Sequence, residues 1–271
     1  STEKRLPTPG RPKVHGPEHL QRTLNKLIDE FADIFSAELK SEPAKIPPLD
    51  LDVDLSEWQT NKNRGPARST SVAKQLEIQR QIEKMLEMKV ITHSSATEYS
   101  QVLLTPKPNG KWRFCIDYRG LNKATKSRHS WPIPNIQDML QRLGNRRAKY
   151  FGVMDLTSGY YQTKLDENSR KFSAFITHMG IYEWRRTPMG LKGDPSYFQQ
   201  HLSTTVLQNL IYNICEVYID DIIVHAQTEE EFVRNLRAVF ERFRKFGLTL
   251  NPEKCNFGLS EVQYVGHTIN E

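Results

Sequence analysis

Asp220 and Asp221 stand between two apolar runs, Asn213–Ile219 and Ile222–Ala226. That pattern reads as a buried hairpin whose tight turn carries two adjacent carboxylates. Two-residue turns favour Asn-Gly or Asp-Gly, and a solvent-exposed polar turn is the ordinary alternative. A third aspartate, Asp155, ends the apolar strand Tyr150–Leu156. If the two strand ends meet, three carboxylates converge. Two unit charges at ~4 Å repel by about 4 kcal/mol at an effective dielectric near 20, so such a cluster needs cations or protons. Mg²⁺ takes carboxylate oxygens together with substrate phosphates. Two such ions, roughly 3.5–4 Å apart, clamp the attacking and leaving oxygens of a phosphoryl transfer. The chemistry expected here is two-metal nucleotidyl transfer.

Other chemistries fit less well. Asp155-Leu156-Thr157-Ser158-Gly159 superficially suggests the Asp-Thr/Ser-Gly of an aspartic protease, but two residues intervene. His93, His129, His178 and His201 show no zinc spacing, and Cys115, Cys215 and Cys255 form no CxxC or disulfide framework. No long apolar run suggests a membrane span, and the first residues lack the apolar region of a secretory signal. The chain of 271 residues begins without Met, as an excised piece of a longer protein would.

Charge supports a polyanionic partner. The net charge is +6, from 38 Lys plus Arg and 32 Asp plus Glu. Residues 61–150 alone carry 18 basic and 6 acidic side chains, whereas the flanking segments are slightly acidic. A solvated Lys/Arg surface is the plainer reading of that excess, and nucleic acid the functional one.

The elements that must position these groups follow from periodicity. The first ~20 residues, rich in Pro and Gly, read as a linker. Helices are expected near 24–35, 71–89, 135–143, 196–210 and 229–246. Leu49–Leu55 alternates as a half-exposed strand or arm. Strands are expected at 99–105 and 112–118, around the basic turn Pro106–Lys111, with hairpins in 172–184 and 248–269. Helices and hairpins interleave without regular βαβ alternation, which indicates an α+β fold with an antiparallel sheet.

Together these residues resemble the polymerase domain of a reverse transcriptase from an LTR retrotransposon of the gypsy type. Tyr218-Ile219-Asp220-Asp221 resembles the family's Tyr-x-Asp-Asp box, and Asp155-Leu156-Thr157-Ser158-Gly159-Tyr160-Tyr161-Gln162 its first catalytic motif. Trp112–Asn122 resembles the fingers strand, Pro188–Lys192 with Phe198-Gln199 the second palm motif, and Gly247–Cys255 and Tyr264–His267 the later two. Asp29–Phe35 fits the leader that precedes this domain. Six motifs in the right order make the resemblance specific.

The resemblance implies a right-hand polymerase with fingers and palm, the palm an antiparallel sheet with helices on one face. It implies a leader at 1–60, fingers at 61–130 and 163–193, and palm at 131–162 and 194–271, with thumb, connection and RNase H absent. It implies that Asp155, Asp220, Asp221 and the Leu156 carbonyl hold two Mg²⁺ ions, with Mn²⁺ a possible substitute. Lys107 or Lys111, with Arg113, would contact the dNTP triphosphate; Ser158, Gly159, Tyr160, Met189 and Gly190 would line the nucleotide, Tyr160 beneath the deoxyribose. Arg119, Asn122, Pro195, Tyr218, Val265, Gly266 and His267 would hold primer and template, and Lys254 would be a general acid. Departures are Pro106-Lys107-Pro108 for consecutive lysines, Met189 for a common Phe, and Gly193-Asp194-Pro195 for Asn-Ala-Pro.

The activity implied is RNA- and DNA-directed DNA synthesis on a primed RNA or DNA template, in association with the rest of a Pol polyprotein. The expected location is the cytoplasm, in virus-like particles, with no membrane partner. The competing reading is a domesticated, catalytically silent module that binds nucleic acid or protein. Intact Asp155, Asp220 and Asp221 favour the enzyme, because a binder needs no repelling carboxylate cluster.

Overall fold

The computed structural model describes residues 10–127, 131–157, 159–218, 220–264 and 267–269. Its strands are β1 (Lys13–Val14), β2 (Asp52–Val53), β3 (Ile91–His93), β4 (Ser100–Pro106), β5 (Trp112–Asp117), β6 (Thr125–Lys126), β7 (Tyr150–Asp155), β8 (Phe175–Thr177), β9 (Gly180–Trp184), β10 (Cys215–Tyr218), β11 (Asp221–Ala226), β12 (Asn256–Leu259), β13 (Val262–Tyr264) and β14 (His267–Ile269). The α-helices are α1 (Glu18–Glu30), α2 (Leu55–Trp58), α3 (Val72–Glu87), α4 (Arg119–Ala124), α5 (Ile136–Asn145), α6 (Asp194–His201) and α7 (Glu229–Phe246). No described helix is long and apolar enough to cross a membrane. The chain divides into two units, one of Ser1–Lys45, Trp131–Gly159 and Phe198–Glu271, the other of Ile46–Ser130 and Tyr160–Tyr197.

The first unit is built on a five-stranded sheet in the order β1-β12-β7-β11-β10. All its pairs are antiparallel except β1 with β12. β7 lies at its centre, and alternation sends its residues to opposite faces. Gly152 faces α7: a Cβ there would lie 3.2 Å from the Phe232 ring and 3.3 Å from Leu236. Phe151 faces the other way, into a core with Met139 and Leu143 of α5, Ala148, Ile223 and Val262. Helices thus cover both faces of this sheet, where the expectation had one. Thr228 caps α7 at its N-terminus by accepting from the Glu231 amide.

Residues 13–30 are not a loose linker. Lys13–Val14 forms the sheet's outer strand, and α1 buries Leu20, Leu24, Leu27 and Ile28. Gly258 makes this possible. Its φ is +88°, it interrupts the β12–β7 register, and a Cβ there would lie 2.4 Å from the His15 carbonyl oxygen. Only a residue without a side chain lets the two backbones meet so closely.

The second unit carries another five-stranded sheet, β3-β9-β8-β4-β5, antiparallel except for β4 with β8. α3 buries Ile78, Ile82 and Met85 as its periodicity predicts. Elsewhere tertiary pairing overrides local pattern. Of the alternating stretch Leu49–Leu55, only Asp52–Val53 is a strand, paired with Thr125–Lys126. The helix expected over 196–210 is α6 followed by a π-turn at Leu202–Val206. Within 248–269 the hairpin is β13–β14, while β12 pairs with β7. The segment expected as a 1–60 leader is divided between the units at Lys45 and Ile46.

Candidate active site

β10 and β11 form the expected hairpin, with Tyr218 paired to Asp221. Asp221 is therefore the first strand residue, and Asp220 alone of the two carboxylates lies in the turn. The expectation placed both there; pairing at Tyr218 moves the turn back by one. β11 also pairs with β7, and the last partners on that ladder are Asp221 and Asp155. Directly paired residues of an antiparallel ladder project from the same face, with Cβ atoms roughly 4.5–5.5 Å apart. Two strands that the sequence separates by dozens of residues thus set two carboxylates side by side.

Asp155 is held from the backbone. Its carbonyl accepts from the Asn251 amide at 2.8 Å, and the Thr157 amide donates to the Thr249 carbonyl at 3.0 Å. These two bonds flank the Leu156–Leu250 pair and do not use the Leu156 carbonyl. Thr157 Oγ1 donates to the Ser36 carbonyl at 2.6 Å. Asn251 then caps the short helical turn Pro252–Lys254, its side chain accepting from the Glu253 amide. That turn delivers Lys254, whose Nζ lies 3.4 Å from Asp155 Oδ2.

Electrostatics separate Asp220 and Asp221 from ordinary surface acids. Burial and then the Asp155 charge push the Asp220 carboxyl above the usual aspartate range, against Lys254. Burial, Asp155 and Asp220 raise Asp221 in the same way. Asp220 Oδ1 is buried and has no hydrogen-bond partner. Beside it Gly159 offers no side chain: a Cβ there would lie 3.0 Å from Asp220 Oδ1.

These features fit a hard cation, which prefers oxygen donors and would satisfy both the repulsion and the unpaired oxygen. Among the described residues, no three His, Cys, Asp or Glu side chains are drawn together tightly enough to cage a metal unaided. Lys254 supplies a counter-charge to Asp155.

The other expected site residues fall into place separately. Tyr218 packs against the α5 core. Ser158, Val265 and Gly266 lie outside the described residues, as do the side chains of Tyr160 and His267. In the second unit, Lys107 and Lys111 close one turn, the Lys107 amide donating to the Lys111 carbonyl at 2.7 Å. Arg113 is exposed on β5, one residue beyond Trp112, whose ring centroid lies 5.0 Å from Lys74 Nζ. Arg119 reaches back to Asp117, donating at 2.8 and 2.9 Å, and Arg68 joins at 3.1 Å. Asp117 is held far below the usual range, first by Arg119. Asn122 is spent internally. Its amide donates to the Gly190 carbonyl at 2.7 Å and accepts from the Lys192 amide at 2.8 Å. It holds the loop carrying exposed Met189. Pro195 is the second residue of α6.

Sequence reasoning passed over Arg142 and Glu216, which pair at 2.8 Å, with Glu216 on β10 two residues before Tyr218. The available signal was a lone charge inside the apolar run Asn213–Ile219.

Comparison with known proteins agrees with this geometry. The chain is 37% identical over 269 residues to the Retrovirus-related Pol polyprotein from transposon 412 of Drosophila melanogaster, covering 96% of this chain and 21% of that protein. It is 35% identical over 266 residues to the corresponding polyprotein from transposon opus of the same organism, covering 93% and 25%. The chain therefore spans about a fifth to a quarter of these relatives. Its fold matches that of a foamy viral protease-reverse transcriptase solved in complex with RNA/DNA hybrid, with TM-score 0.78, 23% identity, and 95% and 34% of the two chains covered. The family described as Reverse transcriptase (RNA-dependent DNA polymerase) matches residues 105–269, which contain Asp155, Asp220 and Asp221. On the strength of that match, this chain belongs to the reverse transcriptase family.

Proposed function

We propose that this chain is the fingers and palm of an RNA- and DNA-directed DNA polymerase from a gypsy-type LTR retrotransposon. It would extend a primer 3′-hydroxyl with dNTPs and work within a Pol polyprotein, as the named relatives suggest. The observation that carries the reading is the pairing of Asp155 with Asp221, with the unpartnered Asp220 oxygen beside them.

Two Mg²⁺ or Mn²⁺ ions held by Asp155, Asp220, Asp221 and the Leu156 carbonyl would acidify the primer hydroxyl and neutralise charge on the leaving pyrophosphate. The chain's own groups supply the rest. Arg113 offers a planar fork for two phosphate oxygens, and Lys107 or Lys111 a point charge. Met189, Gly190, Ser158 and Gly159 would line the base and sugar, with Tyr160 beneath the deoxyribose. Arg119, Tyr218, Pro195, Val265, Gly266 and His267 would hold primer and template. Lys254 would serve as the general acid towards pyrophosphate. Most of the rate would come from holding reactants in line beside fixed charge.

Primer extension tests this. The parent chain should synthesise DNA only with a divalent metal, and Asp220→Asn or Asp155→Asn should lower the rate roughly a thousandfold. Extension by Asp220→Asn at the parental rate, or binding of primer–template without synthesis by the parent, would refute it.

A further inference from the structure

β10 enters the carboxylate turn through an apolar run that contains one charge, Glu216. The Glu216 side chain is only 2% exposed. It shares a face with Tyr218 and Asp221, because Glu216 pairs with Ile223 while Tyr218 pairs with Asp221. Arg142, near the end of α5, grips it with two bonds. Nε donates to Oε1 at 2.8 Å and Nη2 to Oε2 at 3.0 Å. The same guanidinium lies 4.7 Å from the centroid of the Tyr212 ring. One turn on, Arg146 donates to the carbonyls of Tyr212 and Asn213. The last turns of α5 therefore hold both the loop that leads into β10 and the strand itself.

Stability does not account for this arrangement. A buried ion pair costs much of its attraction in desolvation, and an apolar pair of similar volume commonly holds a fold as well or better. What a bidentate Arg–carboxylate pair adds is direction, since two parallel bonds fix both position and rotation. β10 needs that direction. It is the outer strand of its sheet, and among the described strands it pairs only with β11. Its free side carries single bonds in place of a ladder, from the Gln199 side chain to the Val217 carbonyl at 3.3 Å and from the Tyr212 amide to the Cys215 carbonyl at 2.8 Å, and Asp220 stands in the turn at its end.

We propose that Arg142 is a positioning residue, whose two-pronged bond to Glu216 fixes the rotation of the edge strand β10 and thereby aims Asp220. Arg142 lies within the basic excess of residues 61–150, yet its charge is used inside the protein.

The kinetic arm of the test rests on the polymerase reading, and the exchange arm does not. The variants are Glu216→Gln, Arg142→Met, and the double variant Arg142→Met with Glu216→Leu, which leaves no buried charge. Each is measured for dNTP kinetics, thermal unfolding and amide hydrogen exchange. The expected result for the single variants is a kcat about tenfold lower with KM for dNTP within about twofold. Amides of 217–222 should exchange about tenfold faster, with those of α7 unchanged. The double variant should recover the parental melting temperature but neither kcat nor hairpin protection. Arg142→Lys, which keeps the charge and loses the fork, should fall between parent and Arg142→Met. A double variant with parental kcat and protection would overturn the proposal, since the pair would then only fill space. So would single variants with parental hairpin exchange. If Glu216→Gln does not fold, the double variant decides. If the parent makes no DNA, the polymerase reading fails and hairpin exchange alone decides the role of Arg142.

Discussion

Asp155 and Asp221 are direct partners at the end of the β7–β11 ladder, so two carboxylates share one face with no residue between them. Like charges opposed across a ladder destabilise it by roughly 0.2–1 kcal/mol. Under the proposed function, a bound cation would relieve that repulsion.

Asp221→Asn should therefore stabilise the metal-free protein while abolishing DNA synthesis. Relief of about 1 kcal/mol would raise the melting temperature by roughly 2–4 °C in a domain of this size. Mg²⁺ should raise the parental melting temperature more than that of the variant. Scanning calorimetry without and with Mg²⁺ decides; an unchanged or lower metal-free value for Asp221→Asn would show that the carboxylates do not repel.

Gly159→Ala tests the space beside Asp220. The new Cβ would lie 3.0 Å from Asp220 Oδ1, so the carboxylate must shift. Primer extension should fall roughly tenfold or more, because small displacements of reacting groups are costly, with the melting temperature little changed. Parental activity would mean that Asp220 has freedom to move.

Gly258→Ala should act on the fold. Positive φ costs an L-residue roughly 1–2 kcal/mol, and here the Cβ also meets the His15 carbonyl oxygen at 2.4 Å. A loss of about 2 kcal/mol or more is expected in urea unfolding, with β1 losing hydrogen-exchange protection first. A stability within about 0.5 kcal/mol of the parent's would mean that β1 docks without that close approach.

His225 sets an acid limit on stability. Burial, and then the Arg146 charge, lower its value from 6.5 to about 4. The folded protein keeps the ring neutral while the unfolded chain takes up a proton near pH 6.5. This contribution is complete above that pH and is lost as pH falls towards 4, by up to about 3 kcal/mol. Urea unfolding at pH 7 and 4.5 should show a smaller loss for His225→Leu than for the parent. Equal losses would mean that His225 titrates normally in the fold.

The carboxylates were legible in the sequence because local features announce them: apolar runs that stop at Asp155, and runs that flank Asp220-Asp221. α7 was legible for the same reason, its apolar period running from Glu229 to Phe246 between Thr228 and Gly247. These are properties of neighbouring residues. The alternating stretch Leu49–Leu55 misled because strand identity depends on a partner, and only Asp52–Val53 finds one.

What tertiary structure alone decided is pairing. No local pattern states that Asp221 meets Asp155, that Lys254 comes to Asp155, that Asn122 serves the Gly190 loop, or that Arg142 is consumed by Glu216. Sequence by itself determined the apolar faces of the long helices and the points where carboxylates end or interrupt apolar runs. Their partners were set only when long-range backbone hydrogen bonds fixed register. A charge reads alike in sequence whether it faces solvent, a phosphate or a buried carboxylate, and burial and distance, which only the fold supplies, tell these apart.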